Sequence, residues 1–405
     1  MVTVKQIRHR MRRWIHQVAL FLCAILVALF CLEIGFRLAR RGEIGFDRLG
    51  WQTETQNNQS GRIYQKTSEF EFSTNVNQLG FRGPEVSIEK PHGTKRVLIL
   101  GDSFAFGWGV NDDQLFTSHL AKELEGSSQR YEIINTSGGS LSPLIYYVRL
   151  KNTHMRLKPD LVLLFINYAD FREDYFFKRN IMRDARGEIM DINPLYIDGQ
   201  LDTWRWLRNH SEFFSFTYNR INRPLRRIQI LGVWRYLQAK LKGERTRDAM
   251  FEMDRVASKD MDVIEYDAYF MLRENVNPDA VRKHIAETTG YLAQIGELVK
   301  QTGGSVVLVL LPNGVQIGPN QWSKGRHMWG FETGRVYESP LVLKELATFA
   351  RKQGIGFVNL VSSFKQNNNR ALFFERDGHL RPEGHLVLAD ALLASLEFRS
   401  ALALP

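Results

Sequence analysis

Residues 98–110 read "LILGDSFAFGWGV". The run "RVLIL" over 96–100 is apolar but for its first residue and stops at Gly101, as a strand buried on both faces of a parallel sheet does. Ser103 follows, just past the C-terminal end of that strand, where open α/β sheets bind their ligands. Gly107 and Gly109 let the backbone turn sharply and approach a neighbour closely. Taken alone, the stretch reads equally well as a strand followed by a helix that Ser103 caps. The rest of the chain decides between the two.

Outward from this strand the pattern alternates. In "DQLFTSHLAKELE" (113–125), Phe116, Leu120 and Leu124 share one helical face. "YEIINTSGG" (131–139) predicts a strand ending in a small-residue loop, "PLIYYVRLKNTHMRLK" (143–158) a helix, and "PDLVLLFIN" (159–167) a buried strand ending at Asn167. The alternation resumes at 277 with a helix that starts at Asn-Pro and ends at Gly-Gly. A strand (305–312), a helix (339–354), a strand (355–360) and a closing helix (381–398) complete it. Strands alternating with helices predict an α/β domain with a doubly wound parallel sheet over 96–398. An aromatic and Arg-rich insertion over about 171–275 interrupts it and is expected to be helical. Residues 37–95 are expected to form a stalk and an entry segment leading into the domain.

The chain has 405 residues and a formal net charge of +10. Of that charge, +6 lies in residues 1–50, where nine Lys/Arg face three Asp/Glu, so the basic balance is mostly a property of one end. Residues 14–36 carry no Lys, Arg or Asp and only one Glu, Glu33, and include "VALFLCAILVALFCL". That is the length and composition of a membrane-spanning helix. Five Lys/Arg precede it, which favours a cytoplasmic segment 1–13 and a body outside the cytoplasm, periplasmic in a two-membrane cell. No small-x-small cleavage site follows the apolar run, so an uncleaved signal anchor is expected rather than a removed signal peptide. Both cysteines, Cys23 and Cys31, lie inside it, which leaves none for a disulfide or a thiolate metal site in the body. Residues 204–247 hold eleven Lys/Arg against two Glu. The plain reading is a solvated basic face; the sharper one is contact with anionic headgroups or an acidic polymer. No nucleic-acid motif accompanies it.

A nucleophilic serine requires a base, and the base requires an orienting carboxylate. Of ten histidines, one has a suitable setting: in "FFERDGHLRPEGH" (373–385), Asp377 and His379 are two apart, so in an extended loop they point the same way. His385 opens a helix and reads as structural. His119, His154 and His284 fall on predicted helices, and His9, His16, His92, His210 and His327 have no partner motif. The absence of HExxH or paired spacing argues against a metal site, and no cofactor motif is present.

With these residues in view, "GDSFAFGWGV" resembles the first block, and "DGHLRPEGHLVLADALL" the last Asp/His block, of the GDSL-type or SGNH hydrolases, over 96–170 and about 300–398. No Gly-x-Ser-x-Gly elbow surrounds Ser103, unlike the unrelated α/β-hydrolases. The resemblance implies a flavodoxin-like three-layer α/β/α fold. It also implies Ser103 as nucleophile, His379 as base and Asp377 as its orienter. The implied oxyanion hole comprises the Ser103 N–H, an N–H from the loop after the second strand and the Asn167 carboxamide. "NTSGGSLSP" aligns so that either Gly139 or Ser140 supplies the second donor, and "FINYAD" has no Asp directly after Asn167. The Asp-x-His spacing and "NQLGFRG" (77–83) are similar to membrane-anchored members of the group.

Three functions follow. The first is a serine esterase that removes acyl groups, acetyl foremost, from an envelope carbohydrate or lipid. The second is an O-acyltransferase using the same triad on an envelope polysaccharide. The third, a binding module without catalysis, sits poorly with the presence of Ser103, Asp377 and His379.

Overall fold

The computed structural model describes residues 4–40, 60–192 except Ser140, and 264–404 except 265, 266, 274 and 275; of 193–263 it describes only Ser211, Phe213, Phe214, Thr217, Leu237, Gln238 and Leu241. Most of the 204–247 basic stretch therefore lies outside the described residues. Two compact units divide the chain: Met1–Glu43 with Gln200–Tyr236, and Ile44–Gly199 with Leu237–Pro405.

In the first unit, helix α1 (Val4–Arg40) contains a 28-residue stretch, Met11–Leu38, whose most apolar 18-residue window has a mean hydropathy of 2.7. At about 1.5 Å per residue it exceeds the roughly 30 Å of a bilayer's hydrocarbon core. Leu20, Phe21, Leu26, Val27 and Phe30 are all more than 60% exposed, as a helix facing lipid requires. Glu33 is the one acid inside the run. Its carboxylate accepts from Arg37 Nε (2.7 Å), Ser211 Oγ (2.7 Å) and the Phe213 N–H (3.1 Å), which offsets the cost of placing it there.

The second unit begins with an antiparallel hairpin, β1 (Gly61–Lys66) and β2 (Glu71–Val76). Ile63, Phe70, Phe72 and Val76 are buried with Phe106 and Phe374. The stretch 61–95 is thus part of the compact unit and forms the entry into its main sheet. Its inward residues are few and become visible as a core face only when the two strands pair.

The main sheet is five-stranded and wholly parallel: β3 (Thr94–Leu100), β4 (Arg130–Asn135), β5 (Leu161–Ile166), β8 (Ser305–Leu310) and β9 (Gly356–Asn359), in spatial order β4-β3-β5-β8-β9. Between β5 and β8 in the chain lies a second, two-stranded antiparallel ribbon, β6 (Ile181–Arg183) and β7 (Ile189–Ile192). The helices of this unit are α2 (Ser103–Phe106), α3 (Phe116–Leu124), α4 (Pro143–Asn152), α5 (Asp170–Phe177), α6 (Pro278–Gln301), α7 (Gly314–Ile317), α8 (Pro340–Gln353), α9 (Val361–Gln366), α10 (Pro382–Ala394) and α11 (Leu396–Leu402). α4, α6 and α8 pack together as one layer, and α3, α10 and α11 pack with one another or with the sheet as another. This is the doubly wound α/β architecture. All six residues of β5 are buried, and each large aliphatic so removed from water stabilises by about 1.5–3 kcal/mol.

Some boundaries differ from the sequence reading. The helix expected over 143–158 stops at Asn152, followed by a 3-10 turn, His154–Leu157. The strand expected over 131–139 pairs only to Asn135. The part of the 171–275 insertion that is described is not all helical, because the β6–β7 ribbon follows α5.

The strand order reverses between β3 and β5. Chain exits at such a switch point splay to opposite faces and leave a crevice at the strands' carboxyl ends. Ser103 follows β3 and Asn167 follows β5.

Candidate active site

β3 delivers the chain to Gly101, where a Cβ would stand 2.4 Å from Ala105 Cβ and 3.1 Å from Phe165 Cβ. Only glycine fits this approach, which answers why the strand meets Gly-Asp-Ser. Asp102 caps α2: its Oδ1 accepts the Phe104 N–H at 2.9 Å. Ser103 occupies the first position of α2, where a backbone N–H has no intrahelical acceptor. Ser103 Oγ lies 2.7 Å from His379 Nε2, and His379 Nδ1 lies 2.5 Å from Asp377 Oδ1. The side chains of His379 and Asp377 keep 19% and 28% exposure, so the serine–imidazole contact is open to a substrate.

His379 and Asp377 belong to one closed turn. The Phe374 N–H donates to His379 O (2.9 Å) and the Gly378 N–H to Phe374 O (3.2 Å). Gly378 has φ +90°, and a Cβ there would lie 2.6 Å from Trp322 Nε1. Trp322 donates that N–H to Arg376 O at 3.1 Å. Phe104 packs its ring 4.5 Å from the His379 imidazole.

Burial alone would push the His379 imidazole down; the Asp377 charge, its hydrogen bond and the Asp102 charge outweigh it and raise its pKa above the ordinary value. For Asp377, burial pushes up, but His379 and the hydrogen bond donated by the Trp108 indole hold the carboxyl below the usual carboxylate range. The pair is therefore arranged to hold an imidazolium between carboxylates.

Asn167 stands at the switch point in a fixed orientation. Its Oδ1 accepts the Ala169 N–H (2.7 Å), its N–H donates to Asp170 Oδ2 (3.0 Å), and its Nδ2 donates to Asp102 Oδ2 (2.7 Å). A carboxamide has two N–H bonds, so one remains beyond the bond to Asp102. In the second loop, the Gly138 N–H is bonded to Gly101 O at 3.2 Å. Gly139 is buried next to it, and Ser140 lies outside the described residues. Asp102 is pushed up by burial, against the opposing pull of His379, the Phe104 N–H and Asn167.

The structure thus brings Ser103, His379 and Asp377 into one hydrogen-bonded line. Sequence reasoning missed their supports. Arg82, from "NQLGFRG", has a fully buried side chain. It donates to the carbonyls of Phe106 (2.8 Å), Gly107 (2.7 Å) and Val110 (2.8 Å), bracing the loop that carries Trp108. Trp108 and Asp102 lie inside the opening stretch, but their partners do not, and no local spacing signals them. Among the described residues no cluster of three or more His, Cys, Asp or Glu forms a metal site.

No protein-family model matches the chain, and no curated protein matches it. Similar solved structures include LAE5, an alpha/beta hydrolase enzyme from the metagenome of Lake Arreo, at 15% identity over 76% of this chain and 95% of that one, with TM-score 0.36. The acetylxylan esterase Axe2 from Geobacillus stearothermophilus is similar at 11% identity over 74% and 92%, TM-score 0.36. A putative lipolytic protein of the G-D-S-L family from Desulfitobacterium hafniense DCB-2 is similar at 11% identity over 73% and 97%, TM-score 0.33. At these values the functional reading stands on the geometry of the site.

Proposed function

We propose that the chain is an SGNH-type serine esterase. The observation that carries this reading is the line from Ser103 Oγ through His379 to Asp377, with distances of 2.7 and 2.5 Å. Ser103 Oγ attacks the ester carbonyl carbon while its proton passes to His379 Nε2. The carbonyl oxygen becomes an oxyanion, which the Ser103 N–H, a donor from the 137–140 loop and the second N–H of Asn167 hold. Such a donor is worth about 3–4 kcal/mol in the transition state. Collapse expels the alcohol, which takes the proton from Nε2. Water then enters, gives its proton to the same nitrogen and releases the acid, restoring Ser103. Asp377 accepts from Nδ1 throughout, which fixes the tautomer and stabilises the imidazolium.

The substrate in this reading is an acylated, foremost acetylated, carbohydrate or lipid of the cell envelope. The apolar helix α1 supports it, since a single-pass anchor holds the catalytic unit close to membrane-bound material. Positive charge ahead of the span favours a catalytic unit outside the cytoplasm. The basic 204–247 stretch suits contact with anionic headgroups there.

The test is hydrolysis of a p-nitrophenyl ester series by the full chain in detergent, beside Ser103→Ala. Turnover is expected to fall by about 10³-fold or more on removal of the nucleophile. Wild-type turnover that survives Ser103→Ala sinks the mechanism. A Ser103 acyl-enzyme that forms without turnover moves the reading to transfer onto an acceptor hydroxyl.

A further inference from the structure

The catalytic turn is gripped from two sides. On one side, the segment 322–325 donates to its carbonyls: Trp322 Nε1 to Arg376 O (3.1 Å), and the Lys324 and Gly325 N–H groups to Glu375 O (2.8 and 2.7 Å). On the other side stands a single carboxylate from the β1–β2 hairpin. Glu69 Oε1 accepts the Arg376 N–H and Glu69 Oε2 the Asp377 N–H, each at 2.8 Å. Glu69 is itself placed by its neighbours. Its N–H donates to Thr67 Oγ1 (3.1 Å), and the next residue, Phe70, packs 4.8 Å from Phe374 and 5.9 Å from Trp108. A recess of about 460 Å³, bordered by Glu69, Lys324, Glu375 and Arg381, adjoins the turn. Beside this recess the backbone N–H groups of Arg376 and Asp377 are held by the Glu69 carboxylate.

We propose that Glu69 is a positioning residue for the triad: its carboxylate clamps the N–H groups of Arg376 and Asp377 and so sets the Asp377–His379 pair against Ser103. The inference rests on the serine-esterase reading for its kinetic consequence. Charge-assisted bonds to two successive N–H groups fix the orientation of the two peptide units, 375–376 and 376–377, that lead into Asp377. Without them the backbone that carries Asp377 loses its clamp on this side, and the Asp377 carboxylate keeps only its bonds to the Trp108 indole and to His379. His379, which is oriented by that carboxylate, follows. Displacement of a reacting group by about 1 Å is enough to cost roughly 100-fold in rate. The Glu69 carboxylate bonds the backbone of the turn and not the imidazole, so it acts through the turn.

The experiment uses the full chain in detergent and compares wild type with Glu69→Ala, Glu69→Gln and the control Glu71→Ala, whose carboxylate on the same hairpin binds Lys66 and Tyr64. Three quantities are read: kcat and KM on p-nitrophenyl acetate, the His379 titration by NMR, and hydrogen exchange of the 376–377 amides. For Glu69→Ala, kcat is expected to fall by about 10–100-fold with KM changed less than about threefold. The His379 titration moves to lower pH, because a looser Asp377 stabilises the imidazolium less, and the two amides exchange faster. Glu69→Gln, with one good acceptor oxygen, falls between, and Glu71→Ala stays at wild type. A Glu69→Ala protein with kcat within about twofold of wild type and an unmoved His379 titration overturns the proposal, as does a lowered melting temperature with nothing else changed. Should Glu69→Ala fail to fold, Glu69→Gln carries the same comparison. A wild-type chain that neither turns over ester nor acylates Ser103 sinks the esterase reading instead; the titration and the exchange rates still decide the clamp.

Discussion

His379 feels two carboxylates, and they do different work. Asp377 orients the ring through Nδ1; Asp102 adds negative charge from beside the serine while its own oxygens hold Phe104 N–H and Asn167. Both raise the pKa of His379 above 6.5, against burial, which lowers it. The base form acts, so the acidic limb of kcat/KM is expected above pH 6.5. The same raised value means that the imidazolium's interactions stabilise the fold below about pH 6.5 and are lost as pH rises through the folded-state pKa. Asp102→Asn removes one of the two charges and is expected to move the limb to lower pH. It is also expected to lower kcat by about tenfold or more, because an amide at 102 cannot satisfy both the Phe104 N–H and the Asn167 amide. A pH–rate profile of this variant checks both, and a limb that stays in place contradicts the assigned role of Asp102.

The elements differ in how openly the sequence declares them. β3, β5 and β8 are continuous apolar runs, and helices such as α6 and α8 carry Asn or Ser before Pro and Gly at or near their ends. Burial on both faces of a parallel strand leaves that mark in a single chain, so the sheet was legible. The β1–β2 hairpin was not, since "GRIYQK" and "EFSTNV" each hide only a few inward residues. In the site, Asp377 and His379 were legible because their relation is local, two residues in one turn. Asp102–Asn167, Trp108–Asp377 and Glu69 were not, because each joins segments that meet only after the sheet forms. The catalytic turn also depends on one element-level detail: Gly378 at φ +90° lies against Trp322, itself at φ +53°. Gly378→Ala is expected to lower stability by about 1–3 kcal/mol and kcat by about tenfold or more. Melting temperature and kcat of that variant test this, and a near-wild-type result for both would show that the turn tolerates a side chain.

At the scale of the whole catalytic unit, burial shifts acids and imidazoles in opposite directions. Burial pushes Asp174 up to about 7 and raises Asp102, Asp170 and Glu173. Asp170 Oδ1 and Glu173 Oε2 are buried with no partner among the described residues, as protonated carboxyls tolerate better than charged ones. For these acids the folded state binds protons more readily than the unfolded chain, so their contribution to stability is lost as pH rises, for Asp174 from about 4 through 7. Burial pushes His154 and His385 down to about 3, which has the opposite sign: stability is lost as pH falls below 6.5. Asp174, raised to about 7, and His379, raised above its ordinary value, both lose stability as pH rises across this range, and the chain is expected to melt higher at pH 6 than at pH 8, by about 2 °C or more. Calorimetry across that range decides it, and a higher melting temperature at pH 8 would place the charge on those acids in the folded state. The best pH for endurance would then lie on the acid side of the best pH for turnover. The order of the chain also gives the enzyme a history. Ser103 and His379 are 276 residues apart. At about 5–20 residues per second, synthesis leaves the serine without its base for roughly 14–55 s. On the esterase reading, the nascent protein throughout that interval holds a nucleophile without the base that activates it. On that reading, a product cut short before residue 377 keeps the residues of all five sheet strands and lacks both Asp377 and His379.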